Sequence, residues 1–186
     1  VAFQGYLEDN TEAPINLILA QGLPKADKMD FIVQKAVELG VTEIQPLIME
    51  NCVVKYDDAK KSQRQTKWQK IANEAAKQCG RTVIPEIKPI ITLGEFLKSL
   101  PKSCNKIVCY EAENNNGIKK LLDNTNSVDY CVFVGPEGGF SNNEIKICNE
   151  NSCQPVTLGP RILRTETASL AAISIILYHK GDLGGF

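Results

Sequence analysis

Histidine occurs once in this 186-residue chain, as His179, and none of its seven cysteines forms a Cys-x-x-Cys pair. Zinc needs several such ligands brought together, so no metal centre is expected. The cysteine number is odd, Cys131 sits in an apolar strand-like run, and Cys79 falls on the apolar face of a helical pattern. Both positions suit small hydrophobes better than cross-links, which points to a reducing, cytoplasmic setting. No apolar run approaches the roughly 20 residues that cross a bilayer, and the first residues carry no signal-peptide pattern. Neither Gly-x-Gly-x-x-Gly nor Gly-x-x-x-x-Gly-Lys-Ser/Thr occurs, which disfavours dinucleotide and P-loop sites. A dominant charge is lacking too: the formal net charge is −1, so the chain as a whole is no basic nucleic-acid coat.

What is present fits one soluble globular domain. Hydrophobic residues make up 43% of the chain, enough for a sizeable core. Positive charge is concentrated: residues 55–88 hold nine Lys/Arg and four acids, compatible with an RNA contact or with a solvated helix face. Apolar runs alternate with helical patterns, as in an α/β fold. The strand candidates are Ile15–Ala20, Glu43–Ile48, Ile87–Ile91, Lys106–Tyr110, Tyr130–Val134 and Pro155–Leu158. Spacings of three and four predict a helix over Lys28–Leu39, stopped by Gly40, and another over Ser62–Cys79 with the stripe Trp68, Ile71, Ala72, Ala75, Ala76 and Cys79. Shorter helices are expected at Leu93–Leu100 and Gly117–Asp123. A capping box, Ser141 with Glu144, opens one over Asn142–Asn149. The last helix, Glu166–His179, is apolar nearly all round, which predicts a subunit contact as well as a core face.

Two segments depart from plain structural sequence. Gly135-Pro136-Glu137-Gly138-Gly139-Phe140-Ser141 lies between a buried strand and the capped helix. Its glycines allow a tight turn with positive φ, and the helix start offers free N–H groups to a polar ligand. The second, Leu158-Gly159-Pro160-Arg161-Ile162-Leu163-Arg164-Thr165-Glu166-Thr167-Ala168, joins a short strand to the last helix. Thr165 as N-cap and Glu166 as a first-turn acid would explain part of it, but leave Arg161 and Arg164 without a structural role.

Together, GPEGGFSNNEI (135–145) and LGPRILRTETA (158–168) resemble the two C-terminal signatures of the RsmE family of 16S rRNA (uracil-N3) methyltransferases, of the SPOUT class. LPKADKMDFIVQKAVELGVTEIQPL (23–47) and KWQKIANEAAKQCGRTVIPEI (67–87) are similar to two other stretches of that family. The resemblance implies a SPOUT-type sheet with flanking helices and a C-terminal trefoil knot, against the general rule that chains are unknotted. It implies S-adenosylmethionine as cofactor, wrapped by both signature loops, and a homodimer with the active site near the interface. The substrate it implies is N3 of a uridine in 16S rRNA, within the small ribosomal subunit. The family's N-terminal PUA-like barrel has no counterpart in residues 1–14, which are expected to be a remnant or linker before a methyltransferase domain at 15–186.

On that resemblance, Gly135, Pro136, Glu137, Gly138, Gly139, Leu158, Gly159, Ile162 and Leu163 are expected at the cofactor, with Glu137 either touching it or holding the loop. Arg164 and then Arg161 are the catalytic candidates, as donors to an anionic uracil. Glu166 either orients an arginine, accepts a proton, or is a first-turn helix acid. Lys70, Glu74, Lys77, Gln78 and Arg81 are expected to face RNA. The alternatives are a SPOUT enzyme acting on tRNA or 23S rRNA, a non-catalytic RNA-binding assembly module, and an α/β nucleotide-binding enzyme.

Overall fold

Every strand pairing among residues 11–184, the part of the chain that the computed structural model describes, is parallel. The strands are β1 (Asn16–Gly22), β2 (Glu43–Ile48), β3 (Glu86–Ile87), β4 (Ile91–Thr92), β5 (Asn105–Cys109), β6 (Asp129–Val134) and β7 (Gln154–Val156). The sheet order is β3-β2-β1-β6-β5-β7, with β4 also paired to β2. The helices are α1 (Lys28–Leu39), α2 (Asp58–Cys79), α3 (Leu93–Ser99), α4 (Ile118–Asp123), α5 (Asn142–Glu150) and α6 (Thr165–His179). Parallel strands need crossovers, and here these bury the sheet on both faces. Leu17, Leu19, Ile107, Tyr130 and Val132 pack with residues of α1, α2, α4 and α6. Ala20, Val108, Cys131 and Phe133 face α3 and α5 instead. Strands covered on both sides read as unbroken apolar runs, which is how β1 and β6 read in the sequence.

Local chemistry sets most element ends. Gly40, at φ 113°, closes α1 with its N–H directed to Ala36 and Val37 carbonyls. Ser141 and Glu144 form the expected capping box at α5. Pro89 lies in the expected strand 87–91, which is split in two; proline has no N–H for a ladder. α2 starts before Ser62, because Asp57 accepts from the Lys60 N–H at 2.7 Å. Its first turn carries no apolar stripe, so periodicity could not reveal it.

α6 differs from expectation at its start. Its N-cap position is Arg164, with no side-chain cap, while Thr165 is the first helical residue. Thr165 is drawn into a buried network described below. Ser169, Ala172, Ile173, Ile176 and Leu177 are buried along one face, whereas Leu170, Ala171 and Ile175 are half-buried and Tyr178 is 69% exposed.

Of the expected linker 1–14, residues 1–10 lie outside the described residues. Glu12 docks on the domain, accepting from the Arg81 guanidinium and from the backbone N–H groups of Thr82 and Val83 at 2.9 and 3.0 Å. Arg81 also donates to the carbonyls of Val37 and Val41 at the end of α1, at 3.1 and 2.6 Å. A cation at a helix C-terminus is favourable. The Arg81 side chain is 3% exposed, so the expectation that it faces RNA is corrected: it is a structural arginine. The remaining members of that set lie elsewhere. Lys70, Glu74 and Gln78 border an open groove between α1 and α2 that also contains Asp27 and Asp30. Lys77 pairs with Glu74 at 3.1 Å. The groove is mixed in charge rather than basic.

All seven cysteines are free. Among the described residues no helix is long and apolar enough to cross a membrane, and no group of His, Cys, Asp or Glu is placed to hold a metal ion.

Candidate active site

Ligands of open α/β sheets bind beyond the carboxyl ends of the strands, where neighbouring connections leave in opposite directions. β1 and β6 meet this condition: they are adjacent, α1 covers one face and α5 the other. At this edge the loop 135–141 after β6 meets the segment 157–164 after β7. A cavity of about 310 Å³ opens between them, and an adjoining one of about 130 Å³ opens between residues 109–114 and the segment after β7; the two share Cys109, Glu111, Ile162, Leu163 and Ala168. Burial pushes the Cys109 thiol up to about 12, so it serves as an apolar wall and not as a nucleophile.

A buried polar network fastens the loops. Thr165 Oγ1 donates to the Gly135 carbonyl at 2.6 Å and accepts from Gln21 Nε2 at 2.9 Å. Ser169 Oγ donates to Gln21 Oε1. Gln21 and Ser169 are fully buried, and groups buried in this way are costly unless satisfied. The end of β1, the loop after β6 and the start of α6 are thus held in one arrangement.

An ionic link lies beside it. Lys28 Nζ stands 3.0 Å from Glu137 and 3.2 Å from Glu166. The Lys25 backbone N–H also donates to Glu137 at 3.1 Å. The Glu166 oxygen facing Lys28 is shielded from water and has no directed hydrogen bond, so the ammonium is what balances its charge. The hydrogen bond from Lys28 to Glu137 is the main reason its ammonium titrates above the ordinary lysine value. Burial alone would raise Glu137 and Glu166, but each one's own backbone N–H and the Lys28 ammonium hold both below the usual carboxylate value. Glu166 is therefore ionised and paired at neutral pH, which makes it a weak proton acceptor.

The family profile described as RNA methyltransferase domain matches residues 11–177. The ribosomal RNA small subunit methyltransferase E of Bacillus subtilis is 36% identical, over 97% of this chain and 72% of its own length. The chain belongs to this RNA methyltransferase family. A crystal structure of a ribosomal RNA small subunit methyltransferase E from Neisseria gonorrhoeae, bound to S-adenosyl methionine, is 38% identical with a TM-score of 0.82, over 91% of this chain and 69% of the other. The SpoU methyltransferase AviRb from Streptomyces viridochromogenes shares the fold at a TM-score of 0.55 and 14% identity, over 90% and 62% of the two chains.

In this RNA methyltransferase the two signature segments do share one cleft. Gly135, Pro136, Glu137, Gly139 and Arg164 border the larger cavity, Leu158, Gly159 and Arg161 the smaller, and Ile162 and Leu163 both. Gly138 borders neither. A Cβ there would stand 2.8 Å from the Cβ of Asn51, whose side-chain N–H donates to the Gly138 carbonyl at 2.9 Å. Gly138 serves close packing against the chain after β2, which corrects its assignment to the cofactor. Arg161 and Arg164 are exposed and make no hydrogen bond or ion pair among the described residues.

Sequence pattern alone singles out neither Lys28 nor Glu111. For Lys28 a signal existed: a lysine in the first turn of a helix opposes the helix dipole and calls for a partner outside the helix. Glu111 carried only its position just past the carboxyl end of a strand.

Proposed function

We propose that this chain transfers a methyl group from S-adenosylmethionine to N3 of a uridine in 16S rRNA, acting in the cytoplasm on the small ribosomal subunit. The observation that carries the reading is the meeting of the loops 135–141 and 157–164 in one cleft at the switch point of the sheet. Its support in the relatives is that the structure from Neisseria gonorrhoeae, similar over nearly the whole chain, is bound to S-adenosyl methionine. The choice of N3 rests on the RsmE resemblance.

The residues present fit this cofactor. Leu158, Ile162, Leu163 and Ala168 offer apolar walls, and the larger cavity falls at the low end of the roughly 300–1,000 Å³ of small-molecule sites. Gly159, at φ 127°, has no heavy atom within 4 Å of where a Cβ would stand, so its backbone is open to the ligand. When bound, S-adenosylmethionine supplies a methyl group on a sulfonium, open to in-line attack. Leu158, Ile162 and Leu163 hold the nucleoside and exclude water, while Gly135 and Gly139 border the same cavity and let the loop pack closely on itself and on Glu111.

Uracil N3 carries a proton and attacks only as that proton leaves. Arg164, assisted by Arg161, donates to the carbonyl oxygens and stabilises the uracil anion. Both arginines border the cleft and their side chains make no hydrogen bond or ion pair among the described residues, which is the support for this role. Glu166, held ionised by Lys28, acts as a positioning residue. Lys70, Glu74, Lys77 and Gln78, on α2, are the proposed RNA-facing surface.

We also propose that the segment leading into α6 is threaded as a trefoil knot and that two copies pair. The return of α6 from the sheet edge onto β1, β6 and α1 supports the first. The half-exposed Leu170, Ala171 and Ile175, with exposed Tyr178, support the second. The test mixes the protein with methyl-labelled S-adenosylmethionine and small subunits lacking N3 methylation, then maps the label; free 16S rRNA, 23S rRNA and tRNA run in parallel. Label at one uridine N3 is expected. Label on another RNA, or none with an active cofactor site, would overturn the assignment.

A further inference from the structure

Three carboxylates stand at this cleft, and Lys28 neutralises two of them, Glu137 and Glu166. The third is Glu111, just beyond β5, and it borders both cavities. It makes no hydrogen bond or ion pair among the described residues, not even with Arg161 or Arg164 across the same cleft. Its neighbour Glu113 is occupied within the loop, accepting the N–H groups of Asn115 and Asn116 at 2.7 and 3.0 Å. Glu111 has no such local partner. Its place is nevertheless guarded, because a Cβ on Gly139 would collide with the Glu111 carboxylate. The left-handed Gly139, at φ 65°, both makes the turn and leaves this acid its position.

A carboxylate at the junction of two cavities, with no cation of its own, is matched to a ligand that brings one. We infer that Glu111 recognises the cationic end of the methyl donor, where S-adenosylmethionine carries its sulfonium and its ammonium. The inference rests on the reading of the cleft as the S-adenosylmethionine site. The ammonium offers charge-assisted hydrogen bonds; the sulfonium has no hydrogen to donate and is attracted through its charge alone. An exposed pair in water is worth little, but a ligand filling the cleft displaces that water and strengthens the attraction. Glu111 thereby selects the charged donor over neutral nucleosides that would fill the same apolar walls.

Calorimetry on the full chain tests this with two probes. S-adenosylmethionine carries both cationic groups; 5′-methylthioadenosine keeps the nucleoside and the methylthio group but has neither. Glu111→Gln preserves shape at an exposed position. It is expected to weaken S-adenosylmethionine about 10-fold or more, with 5′-methylthioadenosine changed less than about twofold. Equal weakening of both probes, or an unchanged S-adenosylmethionine affinity, overturns the role of Glu111 while leaving the cleft reading in place. A wild-type chain that binds neither probe overturns both.

Discussion

Thr165 donates its hydroxyl hydrogen to the Gly135 carbonyl at 2.6 Å, joining two loops whose residues stand 30 apart in the chain. The same hydroxyl accepts from Gln21, so three segments meet at one oxygen. Thr165→Val keeps the shape and removes the hydroxyl. The Gly135 carbonyl then loses this partner in a buried setting, and a loss of about 1–3 kcal/mol in stability is expected by denaturant titration. S-adenosylmethionine affinity should fall with it, since the loops are no longer held together. A variant as stable as wild type would show that the network contributes nothing.

Lys28 sets a pH window. Its folded-state value is raised, so its contribution is complete below the ordinary lysine value of 10.5 and is lost as pH rises through the folded value. Glu137 and Glu166 are lowered, so theirs is present above the ordinary value of 4.5 and is lost as pH falls through their folded values. Stability from this cluster should therefore be level between about pH 5 and 10. Lys28→Met removes the ammonium that holds both carboxylates low, so in that variant S-adenosylmethionine binding should begin to weaken at a higher pH than in wild type as the solution is acidified. Lys28→Arg should restore most of the wild-type profile. Identical pH profiles for wild type and Lys28→Met would count against the link.

The Arg164 side chain makes no hydrogen bond or ion pair among the described residues. Arg164→Ala should leave thermal stability and S-adenosylmethionine affinity unchanged and lower kcat on small subunits by about 10² or more. Arg161→Ala should show a smaller loss. Unaltered turnover in Arg164→Ala would remove it from the mechanism.

Two basic sites that look alike in the sequence should behave differently. Arg81→Ala removes the guanidinium bonded to Glu12 and to the Val37 and Val41 carbonyls, and should cost about 3 kcal/mol of stability. Replacing Lys70 and Lys77 together should cost little stability but flatten the salt dependence of RNA binding, by roughly one to two units of slope. If Arg81→Ala stays stable, or if the double variant keeps the wild-type slope, the corresponding assignment fails.

Much of the fold was legible locally. α1 and β2 occupy the spans read from spacing alone, Lys28–Leu39 and Glu43–Ile48, because apolar period and a closing glycine are properties of consecutive residues. The capping box at Ser141 is local in the same sense. So were the two signature segments, whose residue types already marked a strand–loop–helix joint.

What the chain order could not convey is which distant residues meet. β6 inserts between β1 and β5, and only that placement brings the loop after β6 against the segment after β7. Arg81 read as part of a basic helix face until the approach of Glu12 and the end of α1 enclosed it. Gly138 read as cofactor backbone until Asn51 filled the space beside it. Lys28 stands out in no sequence pattern, and its two acids lie over 100 residues away. Periodicity reports which side of an element is apolar. Strand order decides which sides face one another, and with them which charges and glycines form a site.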